Sequence, residues 1–291
     1  IVSVIPGQGL YMRDKRIDIG FVFPVLHGSF GEDGTLQGLL ELADVPYAGA
    51  DTLGSAVGMN KQKAKILWRE AGLPVVPFRV IEKRQYAEKN RATDLFVDLS
   101  AEFGSSLFIK PVSSGSSVGV ARVTDAGQFK AALEDVFTMD CAAMIEPALS
   151  AREIECSVVG NYSPRAYGPG EVLPSHEFYS YDAKYIDQNG AALSVPAELS
   201  QAETESVRDL AVRAFRQAGV LGFARVDFFL EKGTGKVYLN EINTIPGFTR
   251  ISMFPKMCEE EGLPYRELIT TIIDLGYELY EEKKQLQHSY Q

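Results

Sequence analysis

The sequence predicts a mixed α/β fold, and three observations support that prediction. Short apolar runs bounded by Gly, Pro or polar residues alternate with amphipathic stretches of helical periodicity. Near the C-terminus, Gly233-Thr234-Gly235 separates two apolar runs, which is typical of an antiparallel hairpin. The chain has 291 residues, 45% of them hydrophobic, and this fits a globular protein of two or three domains.

The first segment, residues 1–52, has the pattern of an incomplete doubly wound α/β domain. Residues 18–24 predict a buried parallel strand, residues 34–43 a helix, and residues 45–49 the next strand. Functional side chains in such folds lie beyond the carboxyl ends of the strands, where His27 is found.

The second segment, residues 53–147, contains two helices with clear capping residues. Asn60 is expected to cap a helix that runs to Ala71, and Asp125 a helix over residues 126–137. Strands are predicted over residues 107–111, 118–123 and 142–147, with a Gly/Ser loop at 113–117 between the first two.

The third segment, residues 148–291, contains the hairpin. It is predicted to begin with a strand over residues 153–159, followed by a long polar and aromatic loop from Pro174 to Pro196. Helices are expected over residues 201–219 and 267–284, on either side of the hairpin in sequence.

Composition excludes several classes of protein. The formal charge of −10 argues against a nucleic-acid partner. Three scattered cysteines indicate a reducing, cytoplasmic compartment, and three histidines make a histidine-built zinc site improbable. No apolar run is long enough to cross a bilayer and no signal peptide is visible, so no membrane partner is expected.

The hairpin predicts a metal site. With the turn centred on Thr234, Asp227 faces Glu241 and Arg225 faces Asn243 on one side of the sheet. Facing carboxylates repel each other unless a cation lies between them, and the oxygen donors Asp227, Glu241 and Asn243 suit Mg²⁺ or Mn²⁺. The alternative is a solvated polar face on an edge hairpin.

Two lysines and the Gly/Ser loop indicate bound phosphate. Lys110 ends an apolar strand, where its ammonium needs an anionic partner, and Lys61 lies in the first turn of a helix, where the dipole disfavours a cation. A Walker-type phosphate loop is excluded because Gly-Lys-Ser/Thr is absent. The alternatives are an ordinary loop and solvated lysines at positions 61, 63 and 65.

These elements, in this order, resemble the ATP-grasp superfamily and, more closely, the D-alanine–D-alanine ligases. The resemblance covers essentially the whole chain. It is carried by His27-Gly28, Gly31 to Gly38, Met59-Asn60-Lys61, Lys110-Pro111, Gly115 to Gly119, Tyr181-Asp182-Ala183-Lys184-Tyr185, Arg225-Val226-Asp227, and Asn240 to Thr249.

The resemblance implies an ATP-grasp fold: an incomplete N-terminal domain over residues 1–52 and two ATP-grasp subdomains over residues 53–147 and 148–291. It also implies ATP-dependent, ADP-forming ligation of two D-alanine molecules through an acyl phosphate, as a step of peptidoglycan precursor synthesis. The implied cofactors are ATP and two Mg²⁺ or Mn²⁺ ions, and the implied assembly is a homodimer.

The resemblance also assigns roles to residues. For ATP these are Lys61, Lys110 and Lys184 on the phosphates, Ser116 and Ser117 in the flap, and Glu146, Leu149, Glu153 and Phe178 around the nucleoside, with Asn240 as a further cofactor-binding residue. The metal ions are assigned to Asp227, Glu241 and Asn243. For the amino acids they are His27 near the first D-alanine, Arg225 and the Gly247 N–H as an oxyanion hole, Ser252 and Met253 on the second carboxylate, and Ser116 with Tyr185 and Glu153 as a closing cluster.

Some choices stay open at this point. Lys184-Tyr185 favours an amine acceptor over D-lactate, while D-serine remains an alternative to D-alanine. The resemblance implies a glycine-rich first strand and a glutamate for the first amine, which we expect to precede Ile1. Other hypotheses are a related carboxylate–amine ligase with a different amino acid and a non-catalytic nucleotide-binding regulator.

Overall fold

The computed structural model describes residues 2–13, 15–89, 92–115, 118–174, 191–249 and 251–286. Within these ranges the chain is mixed α/β, as predicted, and its strands form three antiparallel sheets.

The first sheet is small and was not predicted. Its strands, in spatial order, are β1 (Val2–Ile5), β2 (Gly9–Met12) and β3 (Lys15–Ile17), and helix α1 (Thr35–Leu42) follows.

The predicted parallel strands at 18–24 and 45–49 are reduced to a single bridge between Val22 and Tyr47. Val22 N–H donates to the Pro46 carbonyl and Ala48 N–H to the Val22 carbonyl, each at 2.9 Å. Pro24 and Pro46 have no N–H to donate, which limits the ladder to this one bridge and its two hydrogen bonds.

The central sheet has the order β4-β7-β5-β6. The side chains of Leu107, Ile109, Phe129, Leu133 and Ile145 are fully buried between this sheet and its helices. Its elements are β4 (Arg79–Glu82), α4 (Lys83–Lys89), α5 (Ala92–Phe103), β5 (Leu107–Pro111), β6 (Ala121–Val123), α6 (Ala126–Met139) and β7 (Ala142–Pro147).

The C-terminal sheet has the order β10-β9-β8-β11-β12 and is covered on both faces. Its elements, with the helices that cover it, are β8 (Ala151–Val159), β9 (Arg165–Pro174), β10 (Ala191–Ser194), α7 (Gln201–Gln217), β11 (Phe223–Glu231), β12 (Val237–Asn243), α8 (Met253–Glu260) and α9 (Tyr265–Lys284). On β11, Ala224, Val226 and Phe228 pack with helix α7, whereas Phe223 packs with helices α8 and α9 on the other face, as strand alternation requires.

Helices α2 (Thr52–Met59) and α3 (Lys61–Glu70) lie between the two larger sheets. Asn60 caps α3 as predicted, because its Oδ1 accepts a hydrogen bond from Lys63 N–H at 2.9 Å. Lys61 N–H donates to the Val112 carbonyl at 2.9 Å, which holds the start of α3 beside the end of β5. At the other end, buried Trp68 donates from Nε1 to the Ala214 carbonyl at 2.9 Å. Helix α3 is therefore fixed to the end of β5 and to helix α7.

Candidate active site

A cavity of about 990 Å³ lies between the central and C-terminal sheets. Lys110 on β5 and Glu146 on β7 line one wall, and Asn240 and Glu241 on β12 line the other. Lys61, Leu149 and Glu153 also line it. A concave site with converging polar groups is a suitable place for a phosphorylated ligand.

The hairpin brings together the residues predicted for the metal. Arg225 pairs with Asn243 and Asp227 pairs with Glu241 across β11 and β12, as the sequence predicts. The predicted turn centre is wrong, however, because Phe228 pairs with Leu239 instead of Asn240.

A β-bulge at Asn240 reconciles these two findings. The register shifts by one residue between Asp227 and Phe228, which leaves Asn240 as the extra residue of β12. Leu239 and Ile242 both remain in the core, and Asn240 and Glu241 both line the cavity although they are adjacent in sequence. The spacing of apolar residues along β12, two from Val237 to Leu239 and then three to Ile242, is the sequence signal for this bulge.

Arg225 is the cationic centre of the hairpin. Its guanidinium donates to both oxygens of Asp227 at 2.7 Å and lies 3.1 Å from Glu155 Oε2. Burial opposes the charge, yet Asp227 and Glu155 raise the pKa of Arg225 well above its ordinary value. Asn243 Nδ2 also donates to Asp227, at 2.9 Å. The arrangement provides a permanent positive charge beside the predicted metal-binding carboxylates.

Two of the three predicted phosphate lysines, Lys61 and Lys110, contact the same hairpin. Lys110 Nζ donates to Asn240 Oδ1 at 3.1 Å, and Lys61 Nζ lies 3.5 Å from Glu241 Oε2. Lys61 also donates to the Ser114 carbonyl, at the described edge of the Gly/Ser loop. Both ammonium groups thus border the cavity near its carboxylates.

Lys65 was not predicted to belong to the site, and the interpretation of it as solvated is wrong. Its side chain is fully buried and donates to Glu146 Oε1, while Lys110 Nζ lies 2.6 Å from Glu146 Oε2. Burial would raise the pKa of Glu146, but the two ammonium groups hold it below its ordinary value. Lys65 lies one helical turn after Lys61, but this spacing alone does not distinguish a buried lysine from a solvated one.

The predicted acceptor end is formed by the segment after β12. A Cβ added to Gly247 would lie 2.8 Å from Ser252 Oγ, so only glycine fits this approach without a shift. Ser252 Oγ accepts a hydrogen bond from Thr249 N–H at 3.0 Å, and Ser252 is the N-cap of α8. The side chain of Met253 is buried against β9.

His27 is exposed and lies beside a half-buried carboxylate, Glu32, that was not singled out from the sequence. Glu32 Oε2 accepts a hydrogen bond from Gly28 N–H at 2.5 Å. Burial raises the pKa of Glu32, although the Gly28 hydrogen bond and His27 oppose that shift. Ser116, Ser117, Phe178, Lys184 and Tyr185 lie outside the described residues.

The donor set of the hairpin fits a hard divalent cation. Across the described ranges, no group of three or more His, Cys, Asp or Glu side chains is placed to hold a metal ion. The predicted site has two carboxylates and an amide, Asp227, Glu241 and Asn243, and Mg²⁺ usually completes such a set with water and substrate phosphates.

Comparisons with known proteins agree with this geometry. Residues 5–50 match the family profile described as D-ala D-ala ligase N-terminus, and residues 67–274 match that described as D-ala D-ala ligase C-terminus. The chain belongs to the D-alanine–D-alanine ligase family. A curated D-alanine–D-alanine ligase from Treponema denticola is 44% identical over 98% of this chain and 78% of that protein, and one from Caldicellulosiruptor bescii is 48% identical over 94% and 74%.

Solved structures show the same family resemblance in three dimensions. The D-alanine–D-alanine ligase from Coxiella burnetii has a TM-score of 0.83 at 38% identity, with 98% of this chain and 76% of that chain covered. The VanG D-Ala:D-Ser ligase from Enterococcus faecalis has a TM-score of 0.82 at 33% identity, with 94% and 79% covered. The predicted ATP-grasp fold is that of this ligase family.

Among the described residues, no helix combines the length and the apolar composition that crossing a membrane requires.

Proposed function

We propose that this protein joins two D-alanine molecules at the expense of ATP, forming D-alanyl-D-alanine, ADP and phosphate. The observation that carries the proposal is the cavity between two sheets, in a chain of this ligase family. Lys61 and Lys110 line it together with Glu241, the cross-strand partner of Asp227.

The first step is phosphorylation of one D-alanine carboxylate, because a free carboxylate is a poor acyl donor. Lys61 and Lys110, with Lys184 as a third, neutralise the ATP phosphates and align them for in-line transfer. Asp227, Glu241 and Asn243 would hold two Mg²⁺ or Mn²⁺ ions, which neutralise further phosphate charge when bound.

The second step is attack of the other amine on the acyl phosphate. Arg225 and the Gly247 N–H stabilise the oxyanion that develops. The N-terminus of α8, at Ser252 and Met253, attracts the carboxylate of the attacking amino acid, since free N–H groups and the helix dipole favour an anion there. His27 lies on the side of the first D-alanine.

The nucleoside and the closing elements complete the proposed site. Glu146, Leu149 and Glu153, which line the cavity, are assigned to its adenosine end. Phe178, outside the described residues, is assigned to the adenine ring. Ser116, Ser117 and Tyr185 are assigned, with Glu153, to the closing cluster, whose role would be to exclude the water that hydrolyses an acyl phosphate.

The wider setting is also a proposal. We infer three domains with boundaries near residues 52 and 147, a homodimer, and a cytoplasmic enzyme, since ATP and a peptidoglycan precursor are its substrate and product. Sedimentation analysis tests the dimer, because a monomeric mass would contradict it.

The test is synthesis of the dipeptide by the purified protein. The protein, ATP, Mg²⁺ and D-alanine should give D-alanyl-D-alanine by mass spectrometry, with one ADP released for each dipeptide. Glu241→Gln should abolish both products. The same assay is run with D-serine, D-lactate and other amino acids as acceptors. Activity with another amino acid and none with D-alanine would overturn the proposal.

A further inference from the structure

Lys65 is a charged residue that the proposed function leaves unused. Its side chain is fully buried, and it is absent from the lining of the cavity, so it does not reach a bound nucleotide. Burying an ammonium group is unfavourable unless it is paired. Burial lowers the pKa of Lys65 to about 8 even though Glu146 opposes that shift. Because burying the ammonium group of Lys65 is unfavourable, its presence indicates a specific role.

Lys65 belongs to a chain of contacts that ends at the cavity. Lys65 pairs with Glu146, Glu146 pairs with Lys110 at 2.6 Å, and Lys110 donates to Asn240 at 3.1 Å. Glu146 is thus a buried carboxylate with an ammonium group on each oxygen. One of these ammonium groups faces the core and the other borders the cavity.

We propose that Lys65 is a positioning residue for ATP: it neutralises Glu146 so that Lys110 is free to bind phosphate. The inference rests on the proposed nucleotide site. Without Lys65, Lys110 is the main counter-charge of Glu146, and any movement of Lys110 towards a phosphate leaves a buried carboxylate poorly compensated. With Lys65 present, Lys110 can interact with both Glu146 and the nucleotide, because Lys65 continues to compensate the charge of the Glu146 carboxylate.

The test measures nucleotide binding directly, separately from ligation. Calorimetry gives the Kd of ATP with Mg²⁺, and of adenosine, for the wild type, Lys65→Met, Lys110→Met and the double variant. Lys63→Met is the matched control, because Lys63 is exposed on the same helix. Lys65→Gln, which keeps a hydrogen-bonding group but no charge, replaces Lys65→Met if that variant does not fold.

The expected result is specific for phosphate. Lys65→Met raises the Kd of ATP about tenfold, equivalent to about 1.4 kcal/mol. Lys65→Met leaves the Kd of adenosine within about twofold of the wild-type value. The double variant binds ATP only slightly more weakly than Lys110→Met, because both substitutions remove the same contribution of Lys110 to phosphate binding.

Three results would overturn the inference: an unchanged Kd of ATP, equal weakening of ATP and adenosine, or additive losses in the double variant. Failure of both Lys65→Met and Lys65→Gln to fold would assign Lys65 to stability alone. If the wild type binds ATP but makes no dipeptide, the proposed function fails while the binding data still decide the role of Lys65.

Discussion

Replacing Arg225 by Met should destabilise the protein in the absence of divalent cations. The guanidinium contacts Asp227 at 2.7 Å and Glu155 at 3.1 Å, and Glu241 lies within electrostatic range. Methionine keeps much of the side-chain volume but removes the charge that these carboxylates share. Lys is the matched control, since it keeps the charge and loses the paired geometry of the guanidinium.

The expected magnitude follows from burial. Breaking a buried ion pair costs about 3–5 kcal/mol. The Arg225 side chain is 20% exposed and its two partners 13%, so water recovers part of that loss. We expect about 2–3 kcal/mol for Arg225→Met and about 1 kcal/mol for Arg225→Lys.

Urea unfolding provides the measurement. Trp68 is the only tryptophan and is fully buried, so its fluorescence reports the unfolding of the core that joins α3 to α7. In EDTA, the midpoint should fall in the order wild type, Arg225→Lys, Arg225→Met. Added Mg²⁺ should reduce the loss in Arg225→Met, because a bound cation compensates the same carboxylates. Equal midpoints for the three proteins would refute the electrostatic reasoning, and a loss unaffected by Mg²⁺ would count against the metal site.

Three further predictions concern packing, capping and pH. Gly54→Ala should lower stability by about 1–3 kcal/mol in urea, because its Cβ would lie 2.8 Å from a backbone oxygen, whereas Gly38→Ala, with 3.8 Å of space, should not. Ser200→Ala removes the capping box of α7 and should cost about 1 kcal/mol with no change in ligase activity, so a drop in activity without a stability change would contradict it. The pKa of Lys65 is about 8 in the folded protein and 10.5 in the unfolded chain. The free energy of unfolding of the wild type, relative to that of Lys65→Met, should therefore increase as the pH rises from about 8 towards 10.5. A decrease of this difference over the same pH range would contradict the prediction.

Local signals predicted some elements closely. Asn60 and Asp125 each accept the expected capping hydrogen bond, and α3 and α6 begin directly after them. Strands β5 and β7 have the predicted bounds. A capping side chain bonds to a backbone N–H three residues later, and a proline restricts its own backbone. Both effects are local, so they are readable without the rest of the fold.

Strand β9 shows why other elements were missed. Its centre contains Gly168, Pro169 and Gly170, residues that usually interrupt a strand. A Cβ at Gly170 would lie 2.5 Å from Met253 Sδ, and one at Gly168 would lie 2.6 Å from Met257 Sδ. The missing side chains are replaced by methionines of α8, more than 80 residues later in the sequence, so no local pattern reveals this strand.

The candidate site likewise contains some residues that the sequence predicted and others that it did not. The sequence predicted that Asp227 faces Glu241, and the structure confirms it, but not through strand alternation alone. Regular alternation from the observed turn would place Asn240 opposite Asp227, and the bulge restores Glu241 to that position. The role of Lys65 was not predicted, since its burial depends on Glu146, 81 positions away. A run of three lysines at alternate positions looks the same in sequence whether or not a carboxylate lies behind it.

The bulge at Asn240 has a consequence for insertions and deletions in this hairpin. Loss of one residue from a strand ordinarily turns every later side chain to the opposite face. Loss of Asn240 would instead leave a regular ladder, in which Leu239 and Ile242 keep their core positions and Glu241 still faces Asp227. A hairpin without Asn240 would therefore keep its pair of carboxylates. Its main effect would be on Lys110, which would lose its hydrogen bond to the Asn240 amide oxygen across the cavity.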